Sequence, residues 1–271
     1  MPELPEVETI RRGLERLIVG RKVLGIETNS PKQVQPSLAV VKKAIIGTTI
    51  KKVQRRAKVL QLFFSNGAII IVHLKLTGRL LVRNKNDRPD DWQHITVSLD
   101  GGKELRFADA RKFGWFRLVK DEKELQKILK EFGPEPFDDL TLPVFEKILS
   151  STLKPVKVVL MDQGRISGVG NIYASEALFL ARIDPHRPAN RVSNKEAESL
   201  YRNLEKVLKL GIHYRGASDQ YYLDAQGHKG SYQEHFLVYG RQGQKCSACS
   251  GLIKRVVLGG RGTFYCPSCQ K

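Results

Sequence analysis

At 271 residues, with 41% hydrophobic and 27% charged side chains, the chain is long enough for two modest domains with their own cores and is not a disordered segment. Its 46 Lys and Arg against 28 Asp and Glu leave a net charge of +18, which points to a polyanionic partner without separating an enzyme from a binder, or DNA from ribosomal RNA or phospholipid. No apolar run approaches the ~20 residues of a membrane helix, and the N-terminus has no basic-then-apolar leader, so the expectation is a soluble, cytoplasmic protein with no membrane partner.

In chain order, Val7, Ile10, Leu14 and Leu17 recur at helical spacing after Pro5, with Glu6 and Glu8 in the first turn and Gly20 as the stop. From Lys22 to Val119 the pattern changes to short strands, among them 59–64, 68–74, 95–99 and 105–108, with Asp100-Gly101-Gly102 as a hairpin turn. This predicts an antiparallel β-sandwich or barrel, interrupted by an exposed charged loop over 84–91. A helix over 120–132 leads to Gly133-Pro134-Glu135-Pro136, breaker composition that marks a domain boundary. Helices follow over 142–153, 156–161 and 172–181, then a longer one opened by a Ser193/Glu196 capping box and running to about Leu210. Residues 216–232, rich in Gly, Ser, Asp and Tyr, have no period and read as a mobile loop. The fold class is therefore multi-domain α+β.

Two features carry chemistry of their own. Pro2 follows Met1, and a small second residue favours removal of the initiator methionine, leaving a secondary amine that titrates near ~8 and loses its proton more readily among cations. Such an amine can displace a base at a sugar C1′ and form an iminium, by the logic of a lysine Schiff base. Glu3 and Glu6 lie beside it; by themselves they could equally complement the helix N-terminus. All four cysteines fall near the C-terminus, as Cys246-x-x-Cys249 and Cys266-x-x-Cys269 with 16 residues between the pairs, the spacing of a four-thiolate zinc site. Two disulfides are the other reading, disfavoured in a large basic chain without a secretory signal. Strand-like 253–258 and 263–265 predict a hairpin with 259–262 at its tip, where Arg261 is either presented for function or is an ordinary exposed turn residue.

Met1-Pro2-Glu3-Leu4-Pro5-Glu6-Val7-Glu8-Thr9, Arg55-Arg56-Ala57-Lys58, His73-Leu74-Lys75-Leu76-Thr77-Gly78, Asp109-Ala110-Arg111-Lys112-Phe113-Gly114 and Gly168-Val169-Gly170-Asn171-Ile172-Tyr173, followed by the cysteine pairs, resemble in the same order the motifs of bacterial formamidopyrimidine-DNA glycosylases. The resemblance covers essentially the whole chain. It implies an N-terminal catalytic β-sandwich domain (1–133), a linker and first helix (134–152), a helix–two-turns–helix domain with a lesion loop (153–235) and a hairpin zinc finger (236–271). It further implies a monomer with one zinc ion that binds damaged double-stranded DNA in a cleft and excises oxidised purines, 8-oxoguanine and formamidopyrimidines, before breaking the strand by β- and δ-elimination.

In that chemistry the resemblance assigns Pro2 the attack on C1′, Glu3 the proton for base release, Lys58 proton transfer in β-elimination, and Arg261 a part in δ-elimination. DNA contacts are implied for His73, His94, Arg111, Lys157 and Asn171; Asn171 sits behind two glycines at a helix start, where a plain cap is the simpler role. Leu76, Arg111 and Phe113 are implied to fill the gap left by an extruded base, and the 216–232 loop to cover that base. Three positions depart from the family pattern: Leu76 where Met is usual, Lys75 where Gly is frequent, and Trp92 in Trp92-Gln93-His94 where a His is usual. Two alternatives stand beside this reading. An endonuclease VIII-like enzyme for oxidised pyrimidines is disfavoured by Leu4 and the Arg111/Phe113 pair, and a non-catalytic zinc-finger DNA binder by the coexistence of Pro2, Glu3 and Lys58.

Overall fold

Val7, Ile10, Leu14 and Ile18 form one buried stripe of the first helix, α1 (Leu4–Ile18), and Pro5 lies in its first turn, where no backbone N–H is needed. The computed structural model describes residues 1–218 and 221–271. After α1 come β1 (Val23–Thr28), β2 (Val34–Gln35), α2 (Leu38–Ile45), β3 (Ile50–Arg56), β4 (Val59–Phe64), β5 (Ile69–His73), β6 (Gly78–Asn84), β7 (Gln93–Leu99), β8 (Lys103–Asp109), β9 (Trp115–Val119) and α3 (Glu122–Leu129). They form a four-stranded sheet of order β1-β7-β8-β6 and a five-stranded sheet of order β2-β9-β5-β4-β3, antiparallel except for the short parallel β2–β9 pair. One apolar core joins them: Ile26, Val97 and Phe107 of the first sheet, Leu60, Leu62 and Val72 of the second, and the α1 stripe. Phe107 meets Phe116 edge-on at 5.4 Å across the two sheets. The expected sandwich is present, and the segment 84–91 is exposed except at Asp90, which the Arg83 and Arg106 guanidinia hold.

The helix expected over 120–132 is shorter, because the Asp121 side chain accepts the Glu124 N–H and starts it late. The chain divides into two units, Met1–Lys130 with Tyr214–Ser231, and Glu131–His213 with Tyr232–Lys271. The stretch 214–231 therefore folds with the β-sheet unit and not with the helices that precede it. This departs from an undivided 153–235 segment, and the reason lies in hydrogen bonds described below. Residues 219 and 220 of that loop lie outside the described residues.

The second unit contains α4 (Leu142–Ser150), α5 (Val156–Met161), α6 (Asn171–Leu180), α7 (Asn194–His213) and a hairpin of β10 (Lys254–Leu258) and β11 (Arg261–Tyr265). α4 ends before the expected Leu153, which is exposed. α6 is buried on all sides from Ile172 to Phe179, and α7 opens as expected with the Glu196 carboxylate accepting the Ser193 N–H at 2.9 Å. Among the described residues no helix is long and apolar enough to cross a membrane.

Candidate active site and nucleic-acid contacts

Pro2, Glu3 and Glu6 are buried at the start of α1, whereas Met1 is exposed. Glu6 organises this end. One carboxylate oxygen accepts the Glu3 N–H at 2.7 Å and the other accepts the Ala217 N–H at 2.9 Å, so a single side chain fixes the N-terminal tripeptide and ties it to the 214–231 stretch. Gly216 is required there: its φ is +87°, and a Cβ would lie 2.8 Å from the Tyr222 ring and 2.9 Å from Glu6 Cγ.

Lys58 lies in the two-residue turn between β3 and β4, a place that normally faces water, yet it is only 4% exposed. Ala57, before it, has φ +52°. Arg55 makes an ion pair with Glu8 at 3.3 Å and donates to the Ala57 carbonyl at 2.8 Å, which sets the turn against the first turns of α1. The structure thus gathers Pro2, Glu3 and Lys58, three groups far apart in function by type, into buried positions on one unit.

Val59, next to Lys58, pairs with His73 in the β4–β5 ladder, and His73 pairs with Trp115. Burial, reinforced by the Lys75 and Lys58 charges, lowers the His73 pKa to about 3, so the ring is neutral at pH 7. Its Nδ1 accepts the Lys75 N–H at 2.9 Å, which fixes the proton on Nε2 and leaves that nitrogen a donor suited to a phosphate oxygen. His94 is the reverse. Its Nδ1 faces Asn29 Oδ1 at 2.8 Å, while the Asn29 amide NH2 donates to the Gln93 carbonyl at 3.2 Å; the ring must therefore donate from Nδ1, and Nε2 carries a lone pair. Burial and Lys112 hold the His94 pKa below its usual value.

Leu76, Arg111 and Phe113 stand on two turns joined by the buried carboxylate of Asp109. That carboxylate accepts from the Thr77 hydroxyl, from Arg111 N at 3.2 Å and from Gly114 N at 2.7 Å. Gln33 donates to the Gly114 carbonyl at 2.9 Å, and a Cβ on Gly114 would meet Phe107 at 2.6 Å. Phe113 is 52% exposed with the Arg111 guanidinium 4.8 Å from its ring centre. An exposed apolar ring under a cation, on a turn rigidified from beneath, is able to enter a base stack. Leu76, on the Thr77 turn, is half-buried.

On the second unit, Lys157 is 1% exposed. Its ammonium donates to Asn171 Oδ1 at 2.7 Å and Thr263 Oγ1 at 2.8 Å and lies 3.4 Å from the Gly262 carbonyl, which also accepts Asn171 Nδ2 at 2.9 Å. A lysine has three protons to give, and these acceptors take them. Lys157 is thus a pin between α5, the start of α6 and the hairpin. Asn171 is correspondingly not a cap: Gly170 occupies that position and the Asn171 side chain is spent on the hairpin. The pin holds the strand that begins with Arg261, which is exposed at the hairpin tip as expected. Glu176, buried in α6, accepts the N–H groups of Leu237, Val238 and Tyr239 at 2.8 to 3.0 Å and so anchors the chain entering the finger.

The four cysteine sulfurs lie within 4.8 Å of one another, with Cys246–Cys269 at 3.8 Å and Cys249–Cys266 at 3.4 Å. A disulfide needs about 2.05 Å, which excludes that pairing, whereas tetrahedral zinc with bonds of about 2.3 Å spaces its sulfurs at about 3.8 Å. The neighbouring thiols hold the Cys269 thiol up to about 12, so the set carries its negative charge together only around a cation. The Ala248 N–H points at Cys246 Sγ at 3.4 Å, a further donor to a metal-bound thiolate. The donor set fits one zinc ion.

The positioning residues Asp109, Thr77, Gln33 and Glu176 were given no role from sequence, and Glu6 was named there only as a carboxylate beside Pro2. Asp109 carried a signal: it is an acid inside a cationic motif, Asp109-Ala110-Arg111-Lys112.

Comparison with known proteins gives a consistent set of likenesses. The N-terminal domain model of formamidopyrimidine-DNA glycosylase matches residues 1–116, the H2TH domain model of the same enzyme residues 132–222, and a zinc finger found in FPG and IleRS residues 243–271. A formamidopyrimidine-DNA glycosylase of Herpetosiphon aurantiacus is 43% identical over 273 residues and one of Streptococcus mutans 40% identical over 274, each covering all of both chains. Among solved structures, a complex of Lactococcus lactis Fpg with DNA containing an abasic site is 35% identical, covers 99% of each chain and superposes with a TM-score of 0.94. The same Lactococcus protein bound to DNA containing N7-benzyl-Fapy-dG matches over 100% of both chains with a TM-score of 0.93.

Proposed function

This chain belongs to the formamidopyrimidine-DNA glycosylase family, and from that premise we propose that Pro2, Glu3, Lys58 and Arg261 carry its reaction. The protein is a zinc-containing DNA glycosylase and abasic-site lyase that removes oxidised purines in base-excision repair. The observation that supports the residue assignment is the buried Pro2–Glu3 terminus, held by Glu6 on the unit that also buries the Lys58 turn.

Removal of the exposed Met1 frees the Pro2 nitrogen. That amine attacks C1′ while the Glu3 carboxyl delivers a proton towards the opening sugar, and the bond to the base breaks. Lys58 then moves protons at the covalent adduct as the strand is cleaved by β-elimination, and Arg261 assists δ-elimination from the hairpin. Neutral His73 donates from Nε2 to a backbone phosphate, and the first turn of α6, which holds no acidic residue, receives another. Arg111 and Phe113, with Leu76, fill the space of the extruded base. Lys157 and Asn171 act through the hairpin they pin. Zinc, when bound, supplies no chemistry to the sugar; it fixes the finger that presents Arg261. The protein works as a cytoplasmic monomer on damaged duplex DNA.

The test is borohydride trapping of Met1-processed protein on a duplex with one 8-oxoguanine opposite cytosine, with Pro2→Gly and an oxidised-pyrimidine duplex as controls. A proline-dependent adduct on the purine lesion is expected. An undiminished adduct in Pro2→Gly removes the nucleophile assignment, and trapping on the pyrimidine lesion alone removes the purine reading.

A further inference from the structure

Trp92 is 48% exposed and has φ +60°, a conformation that a bulky residue adopts only when its surroundings impose it. Burial does not impose it here. Its carbonyl accepts the Asp109 N–H at 2.9 Å, and its ring meets Tyr221 edge-on at 6.2 Å, with the Arg79 guanidinium 5.7 Å from the Trp92 ring and 6.0 Å from the Tyr221 ring. Arg79 also donates from Nε to the Tyr221 carbonyl at 2.6 Å. Tyr221, 38% exposed, thus has its carbonyl and its ring held by Arg79 of β6 and its ring also met by Trp92, in the turn before β7.

The stretch containing Tyr221 runs along the open edge of β6. Val82 N–H donates to the Ala225 carbonyl at 2.7 Å and Arg83 to the Gln226 carbonyl at 2.8 Å, while Ala225 sits on Gly13 of α1, where a Cβ would be only 2.8 Å away. At its other end the stretch is tied to Glu6 through Ala217, and the Tyr222 ring is buried beside the same carboxylate. Glu6 in turn holds Glu3. Whatever fixes Tyr221 therefore bears, through the adjacent Tyr222 ring, on the Gly216–Ala217 backbone and on the Glu6 carboxylate that holds Glu3.

We propose that Arg79 and Trp92 form a cation–aromatic clamp on Tyr221 that positions Tyr221 and the neighbouring Tyr222 ring beside the N-terminal site and so governs excision of a base, not cleavage at a site that has already lost one. The clamp acts through the segment; it touches neither Pro2 nor the sugar. The proposal rests on the reading above that Pro2 is the nucleophile. It gives Trp92, where the family usually has a histidine, a task that a phosphate-binding histidine would not perform.

The experiment compares zinc-loaded, Met1-processed wild type, Trp92→Ala, Trp92→Phe and Arg79→Gln on two duplexes, one with 8-oxoguanine opposite cytosine and one with a preformed abasic site, under single turnover. Loss of one aromatic pair and one cation–π contact is expected to slow base excision about five- to tenfold in Trp92→Ala and Arg79→Gln, with strand cleavage at the abasic site and half-saturating duplex concentration changed less than about twofold. Trp92→Phe, which keeps a ring on the clamp, should recover most of the rate. Equal slowing on both duplexes, no slowing on either, or a Trp92→Phe variant as slow as Trp92→Ala overturns the clamp. Failure of wild type to cleave either duplex instead removes the underlying Pro2 reading, which keeps the two failures apart.

Discussion

His73 makes a pH-dependent contribution to stability whose sign and size follow from its surroundings. The folded ring binds a proton only near pH 3, because burial and the Lys75 and Lys58 charges oppose it, whereas the unfolded ring takes one near 6.5. The folded pKa is depressed, so this stabilisation is fully present above the unfolded value and drains away as the pH falls from 6.5 towards 3. At about pH 4.5 the loss amounts to about 2.7 kcal/mol. His73→Asn removes the titration while placing Oδ1 where Nδ1 accepts the Lys75 N–H. Urea unfolding at pH 7 and about 4.5 provides the assay, followed by tryptophan fluorescence, since both tryptophans, Trp92 and Trp115, lie in the first unit and report it alone. Wild type should lose about 2 to 3 kcal/mol more than His73→Asn on acidification. Equal losses in the two proteins would refute the assignment of a buried neutral imidazole.

Lys157→Met should leave Asn171 Oδ1 and Thr263 Oγ1 without their donor and destabilise the second unit by about 2–4 kcal/mol, read by calorimetry on zinc-loaded protein; an unchanged melting profile would mean the pin bears no energy. Glu176→Leu should cost about 3–5 kcal/mol by stranding three N–H groups, and hydrogen exchange at residues 237–239 should rise several-fold. Gly216→Ala, at φ +87° with no room for its Cβ, should cost about 1–3 kcal/mol and depress base excision more than lyase activity. Zinc removal by chelation should abolish DNA binding and release one equivalent of metal, with recovery on adding zinc back; retained binding by the metal-free protein would separate the finger from the DNA.

What the sequence made legible was whatever depends on local pattern. The α1 stripe, the strands at 59–64 and 95–99, the Ser193/Glu196 box and the cysteine spacing each encode their own geometry within a few residues. Where the pattern failed, the cause is tertiary. Residues 216–232 show no period in sequence; among the described ones the Tyr221 and Gln226 carbonyls accept from Arg79 and Arg83 of β6, more than 140 positions away, while Asp224 N–H bonds locally to the His228 carbonyl. Composition has no access to such distant bonds, which tie Tyr221, Ala225 and Gln226 to β6.

The same limit governs the charged residues. A net charge of +18 says that many cations face a polyanion, but it does not say which ones. Lys157 and Arg106 are as cationic as any, yet both are buried, and their protons go to Asn171, Thr263 and backbone carbonyls. Lys157 holds the hairpin from which the exposed Arg261 is presented, and Arg106 holds the 84–90 loop through the Asn84, Asp87 and Arg88 carbonyls. The two histidines divide in the same way, one left with a donor and the other with a lone pair by a single neighbour each, Lys75 N–H and Asn29 Oδ1. Residue type proposes the contact, and the hydrogen bond on the far side of the ring or ammonium decides whether a proton is left to make it.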